Sequence, residues 1–387
     1  MAIAVLDLDI DRLPPALNLA AKYERALVLL RVAGRPAGQA LISLGTDDPD
    51  DLQKRLLRAA DSAFWEAWLR DRLRVAVPQD PPPPSLTTTV AVCTRDRTED
   101  LERCIAALLA MPDDGQEIII VDNAPATQGT RELVARFPRL RYVLEERPGL
   151  DVARNRALRE ARTDIVAFTD DDAAPDPLWL RALAGNFADP LVLAATGSTM
   201  PMELESDAQI AFQSYGGFLR GFKRIVYDPF SQSPLLGWHA GAGVNMALRR
   251  SVVDLVGSFD EALDAGTATQ AGGDSDMFRR ILAAGYRIVY DPEALNWHRH
   301  RRSQAELTRQ LYGYEVAGSA VLCKALLYER DLSSLTEFLR WLRRELGGFA
   351  RAALRRPGAA PLPLAASRLR GGAAGPGAYI TARRGRA

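Results

Sequence analysis

The apolar run Ile165-Val166-Ala167-Phe168, followed at once by Thr169-Asp170-Asp171-Asp172, constrains the fold more than any other feature of the chain. Consecutive apolar residues without polar alternation suit a strand covered on both faces. Three adjacent carboxylates cannot share that burial. They repel one another, so the strand must end where solvent, partner groups or a cation keep them ionised. Alternate side chains of a strand share a face, so Asp170 and Asp172 can converge on one ion while Asp171 turns aside or serves a second ligand. Oxygen donors of this kind suit Mg²⁺ or Mn²⁺, which take substrate phosphates as further ligands. Read alone, the run fits a solvated acidic turn as well as it fits a metal and phosphate site.

The surrounding pattern is strand and helix in alternation. Strands are expected at Thr87 to Cys93, Ile118 to Val121, Leu140 to Glu145 and Asp164 to Thr169. Helices are expected between them at Arg97 to Ala110, Thr130 to Phe137 and Asp151 to Ala161. That order implies parallel pairing with right-handed crossovers, and in such sheets ligands gather at the carboxyl ends of the strands. Beyond these, strands are expected at Leu191 to Ser198, within Gly241 to Arg249 and at Tyr286 to Tyr290, with a helix from Asp276 to Ala284.

Four units follow along the chain: a small α+β unit over residues 1–77, a Pro-rich linker over 78–86, an α/β domain over 87–302, and a helical, then flexible, basic extension over 303–387. In the first unit, strands are expected at Ala2 to Leu8, Ala26 to Val32 and Gln39 to Leu44. Thr46-Asp47-Asp48 is expected to cap a helix running through Trp68.

The chain carries 49 basic and 49 acidic residues, which argues against nucleic acid as a partner. The cations crowd the C-terminal end, where Arg340, Arg343, Arg344, Arg351, Arg355 and Arg356 suit contact with anionic lipid or plain solvation. Cys93, Cys104 and Cys323 show no paired spacing, the N-terminus has no signal-peptide pattern, and no apolar run would span a bilayer. These features fit a cytoplasmic protein, or one at the cytoplasmic face of a membrane.

Further polar groups sit where ligands would gather. Asp122 and Asn123 follow Ile118-Ile119-Ile120-Val121 and suit a nucleoside contact or an Asx-turn. Arg154 and Asn155 enter a helix after Pro148-Gly149, where an Arg could neutralise a diphosphate or lie solvated. Asp274 and Asp276 mark a loop-to-helix junction, suited to capping or chemistry. Trp297-His298-Arg299-His300 holds two of the chain's three histidines, and imidazole is a good Mn²⁺ ligand beside carboxylates.

In order and spacing these motifs, from Val90-Ala91-Val92-Cys93-Thr94-Arg95-Asp96-Arg97 to Trp297-His298, resemble the family 2 glycosyltransferases of the GT-A fold. The resemblance implies an α/β domain with an open, mostly parallel sheet flanked by helices. It also implies a nucleotide-diphospho-sugar donor, an acceptor hydroxyl (on a glycan, a lipid-linked carrier or a small molecule), and hexosyl transfer with inversion, dependent on Mn²⁺ or Mg²⁺. By that likeness Thr94, Arg95, Arg97, Asp122, Asn123, Arg154, Asn155, Asp170 and Asp171 are donor-side residues. Asp170 and Asp172 form the DxD element, with His298 completing the metal shell. Trp238, Gly243 and Asn245 fall on the acceptor or sugar side. Asp274 matches the catalytic base, with Asp276 as the other candidate; the chain departs from the family's usual Glu-Asp, because Gly273 replaces the Glu. A nucleotidyltransferase would want a glycine-rich loop after the first strand, which Thr94 to Thr98 lacks. A non-catalytic carbohydrate-binding relative would have no need of the acids.

Overall fold

The computed structural model describes residues 2–386 apart from 15, 16, 18, 45–51, 74–84, 216 and 359. The expected cap at Thr46-Asp47-Asp48 and most of the Pro-rich linker lie outside the described residues.

The leading unit is a three-stranded sheet, β1 (Ala2–Asp9), β2 (Tyr23–Val32) and β3 (Arg35–Ser43), with β1 and β2 parallel. It is covered by α1 (Leu52–Ala59) and α2 (Ser62–Arg72). The single helix expected through Trp68 is therefore two, because the Asp61 carboxylate accepts from Phe64 N at 2.9 Å and starts a new helix. The unit docks on the rest of the chain. Ile3, Leu27 and Leu29 pack against Met200, Leu204 and Leu295, Ile3 N donates to Leu204 O at 2.9 Å, and Arg31 pairs with Asp176 at 2.5 Å.

The main domain alternates as its apolar spacing requires: β4 (Thr88–Thr94), α3 (Thr98–Leu109), β5 (Glu117–Asn123), α4 (Gly129–Ala135), β6 (Leu140–Glu145), α5 (Leu150–Glu160) and β7 (Ile165–Asp170). Then follow β8 (Ala173–Pro175), α6 (Trp179–Gly185), β9 (Val192–Pro201), α7 (Asp207–Ser214), β10 (Ile225–Tyr227), β11 (Asn245–Arg249), α8 (Val252–Val256), α9 (Gly273–Ala283) and β12 (Arg287–His298). Among the described residues these strands make one nine-stranded sheet in the order β10-β12-β9-β11-β7-β4-β5-β6, with β8 on β12. The run β7-β4-β5-β6 is parallel, as is β12 with β9, whereas β11 lies antiparallel between β7 and β9.

Period-two alternation puts Val90, Val92, Ile118 and Ile120 against α3 and α6, and Ala91, Ile119, Val121 and Phe168 against α5 and α9. Both faces are thus covered, as parallel strands need.

The extension departs from its expected character. After α10 (Gln304–Glu329) and α11 (Ser333–Ala353), residues Leu362–Arg386, read from composition as a flexible end, form a long helix, α12. The small residues are its packing surface. A Cβ at Gly372 would lie 1.8 Å from the Trp341 ring, and one at Gly375 1.9 Å from Ser319 Oγ, so only glycine lets α12 lie this close to α10 and α11.

Candidate active site

The carboxyl ends of β4, β5 and β7 meet the end of β12. Asp170, Asp172 and His298 each offer a ligand atom there, and these atoms lie within 4.8 Å of one another. His298 arrives because β12 runs on past its core pairing to Pro201 and Ala173. Its Nε2 faces Asp172 Oδ1 at 3.1 Å, while its Nδ1 is buried with no hydrogen-bond partner among the described residues. Two carboxylates and an imidazole suit Mn²⁺ or Mg²⁺, and the crowding of acids is itself the argument for a cation. Burial works against ionised Asp172, but the His298 hydrogen bond and charge, with Arg97 and Arg301, overcome it and hold the carboxyl down at about 2.

Asp171 takes no part in that triad. Its Oδ2 accepts from Thr94 Oγ1 at 2.7 Å and its Oδ1 from Arg97 Nη1 at 3.1 Å, so it ties the ends of β4 and β7 together. Burial pushes Asp171 up to about 6, against the pull of Arg97. Arg95 turns to solvent with Asp96 beside it at 3.9 Å. Asp122 is fully buried, with Thr130 beside its carboxyl and Oδ2 accepting from Tyr142 Oη at 2.9 Å; its Oδ1 has no hydrogen-bond partner among the described residues, and a ligand N–H or hydroxyl would satisfy it.

Three asparagines expected at the ligand edge hold backbone instead. Asn123 bridges Arg147 O and Gly149 N, each at 2.8 Å, and so shapes the loop into α5. Asn155 grips Phe259 through both its N–H and its carbonyl, at 3.0 and 2.9 Å. Asn245 is 1% exposed; its N–H groups donate to Ser198 O and Ala294 O, and its carbonyl accepts from Trp179 Nε1. Each amide thus joins segments that are distant in sequence.

The two candidate bases separate cleanly. Both lie in the first turn of α9, and neither caps it, since Gly272 takes that position. Asp276 is fully buried and bound by Arg279 at 3.1 Å, Arg280 at 2.8 Å and Lys324 at 2.7 Å; a carboxylate so enclosed cannot receive a proton from an acceptor. Asp274 is only partly buried. Its Oδ2 accepts from Gly243 N at 2.7 Å and its Oδ1 from Ser275 N at 2.7 Å, and among the described residues neither oxygen has an ion pair. A Cβ at Gly243 would lie 2.3 Å from Arg154 Nη2 and 3.2 Å from Asp274 Oδ2, which places both groups at one glycine. Trp238 lies on the surface of the Pro234–Ala240 segment, 44% exposed.

Sequence reasoning passed over Asp151 and Asp264. Asp264 accepts from Leu150 N at 2.8 Å and Asp151 N at 3.2 Å, capping α5 from a distant loop. Asp151 is buried against Arg154 Nη1 at 3.0 Å; burial pushes its carboxyl well up, with the charges of Asp264 and Asp274 adding and Arg154 opposing. Beside Arg97 opens a cavity of about 470 Å³ lined by Gln270, Arg301, Arg309, Gln310 and Tyr314.

The model of one family, glycosyl transferase family 2, matches residues 89–256. That segment is a family 2 glycosyltransferase domain. The mostly parallel sheet flanked by helices in this glycosyltransferase domain is the architecture that the motifs imply. The chain is 29% identical over 253 residues to a pre-mycofactocin glycosyltransferase of Mycobacterium tuberculosis, covering 64% of this chain and 50% of the relative. It is 26% identical over 239 residues to the uncharacterized protein y4gI of Sinorhizobium fredii, covering 56% and 25%. The chain thus spans half the length, or less, of these relatives. A mannosyltransferase from Pyrobaculum calidifontis, solved with GDP-Man and Mn²⁺, superposes with a TM-score of 0.45 at 21% identity, covering 83% of this chain and 80% of that one.

Proposed function

We propose that this chain is a metal-dependent, inverting hexosyltransferase that moves a sugar from a nucleotide-diphospho-sugar to an acceptor hydroxyl. The convergence of Asp170, Asp172 and His298, with Asp274 near enough for its charge to act on Asp170, in a chain that carries a family 2 segment, carries the reading. Asp170, Asp172 and His298 would hold Mn²⁺ or Mg²⁺, which when bound supplies Lewis-acid stabilisation of the departing diphosphate oxygens. The crowded carboxylates and the imidazole that faces them through Nε2 fit such an ion. On the donor side, the orphaned Asp122 Oδ1 accepts from the nucleoside, and Arg154 balances charge near the diphosphate. Asp274 takes the proton of the attacking hydroxyl, and a single displacement with one base inverts the anomeric centre.

Thermal melting with UDP-glucose and GDP-mannose, each with and without Mn²⁺, tests this. A donor present at 100 times its Kd should stabilise the fold by about 2.7 kcal/mol, and only when the metal is present. No shift with any nucleotide-sugar counts against the reading, and binding without release of nucleoside diphosphate favours the non-catalytic relative.

The basic extension is proposed to touch anionic membrane. Among the described residues no helix is long and apolar enough to cross a bilayer. On α11, however, Leu335, Leu339 and Leu346 share one exposed stripe, with Arg340, Arg343, Arg344 and Arg351 beside it and Ser334, Glu345 and Ala352 on the packed side. Apolar and cationic stripes side by side suit the headgroup region. Sedimentation with phosphatidylglycerol vesicles should pellet the protein at low salt, and Leu339→Glu with Leu346→Glu should release it. A protein that stays in the supernatant at low salt has no such contact.

A further inference from the structure

The approach to α9 is occupied from outside its own segment. Asp151, 1% exposed in the first turn of α5, accepts at its Oδ1 from Arg154 Nη1, while its Oδ2 is buried with no hydrogen-bond partner among the described residues. A Cβ built at Gly273 would lie 1.7 Å from that Oδ2, 2.4 Å from Cγ and 2.6 Å from Oδ1. The Asp151 carboxylate therefore fills the space that a side chain at position 273 would claim, next in sequence to Asp274. Asp264 fixes it there by holding the N–H of Leu150 and of Asp151 itself. Beyond Asp151 the Arg154 guanidinium extends to Gly243, the residue whose N–H binds Asp274.

We propose that Asp151 is a positioning residue of the transfer site: its carboxylate, delivered from α5 to the place where residue 273 has no side chain, holds the Arg154 guanidinium beside Asp274. The proposal rests on the transferase reading above. It also explains why position 273 is glycine although its backbone is ordinary helix: the requirement is for space, not for conformation. The 2.6 Å from a Cβ at 273 to Asp151 Oδ1 is within the reach of an aspartate side chain, so the carboxylate can in principle be supplied from either position.

The experiment uses the full chain with Asp151→Ala, Asp151→Asn, Gly273→Asp, and Asp151→Ala combined with Gly273→Asp. Melting, crystal structures and nucleoside diphosphate release from UDP-glucose and GDP-mannose with Mn²⁺ are measured for each. Gly273→Asp alone should melt well below the parent, because two side chains then claim one space. Asp151→Ala should lower kcat by about 10²-fold, the scale of an ångström-level misplacement. KM for the nucleotide-sugar should rise by less than kcat falls, since the charge that Arg154 balances grows as the diphosphate departs. Asp151→Asn, which keeps the shape, should fall with it. The double variant should recover melting and most of kcat, with the carboxylate introduced at position 273 seen against Arg154. Wild-type kcat in Asp151→Ala, an Arg154 that keeps its place in that variant's structure, or a Gly273→Asp that melts like the parent would each overturn the proposal. If the parent releases no diphosphate from either donor, the transferase reading is what fails, and the position of Arg154 in the Asp151→Ala structure still decides this one.

Discussion

Asp274→Asn should lower turnover by roughly 10² to 10⁴-fold, the usual contribution of a positioned general base, while nucleotide-sugar binding stays near that of the parent. Asp274 lies at the edge of the site with both oxygens accepting backbone N–H groups from Gly243 and Ser275, so its lone pairs are oriented without a cation bound to them. Asparagine retains one acceptor oxygen and loses the other, costing about 1 kcal/mol of local hydrogen bonding and all of the basicity. The check is steady-state turnover beside donor-induced melting shifts in the same preparation. Turnover near that of the parent would remove Asp274 from the role of base.

The largest stability effect belongs to the neighbouring acid. Asp276→Asn should cost about 3–5 kcal/mol, the usual penalty for breaking a buried ion pair from one side, because Arg279, Arg280 and Lys324 lose the carboxylate they share, and Glu329 and Asp260 balance only part of the charge. The cluster also ties elements together. Lys324 on α10 reaches Asp260 at 2.9 Å, and Asp260 accepts from Tyr379 of α12 at 2.9 Å, so loss of Asp276 loosens the helical extension from the domain. Burial alone would raise the Asp276 carboxyl, but Arg280, Lys324 and Arg279 overcome it and hold the group at about 2. That is below the value of about 3.9 for an unfolded aspartate, so its contribution is full above pH of about 4 and is lost as the pH falls toward 2. Urea unfolding of parent and variant between neutral and acid pH measures both effects. A difference below about 1 kcal/mol at neutral pH would show that the cluster is solvated.

Part of the role of Asp276 was readable in the chain. Arg279 and Arg280 stand three and four residues after it, the spacing at which helical side chains meet, whereas Lys324 belongs to a helix packed on later. The three asparagines carried no such signal, because their partners are backbone groups of Arg147, Phe259, Ser198 and Ala294 that no local pattern connects to them. The C-terminal helix was missed for a related reason. Its glycines and Pro376 read as helix breakers in isolation, yet here the smallness of Gly372 and Gly375 is what α10 and Trp341 pack against.

By itself the amino-acid sequence determined the succession of strands and helices through β7, the mostly parallel sheet, and the placing of acids at strand ends. Those properties follow from periodicity and from the cost of burying charge, both of which act over a few residues. Only the tertiary structure decided which acids work together. The joining of Asp170 and Asp172 to His298, the enclosure of Asp276, the openness of Asp274 and the lodging of Asp151 at Gly273 all depend on crossings between distant segments. A carboxylate's chemistry is set by the few ångströms around it, and which groups enter that space is a property of the packed chain.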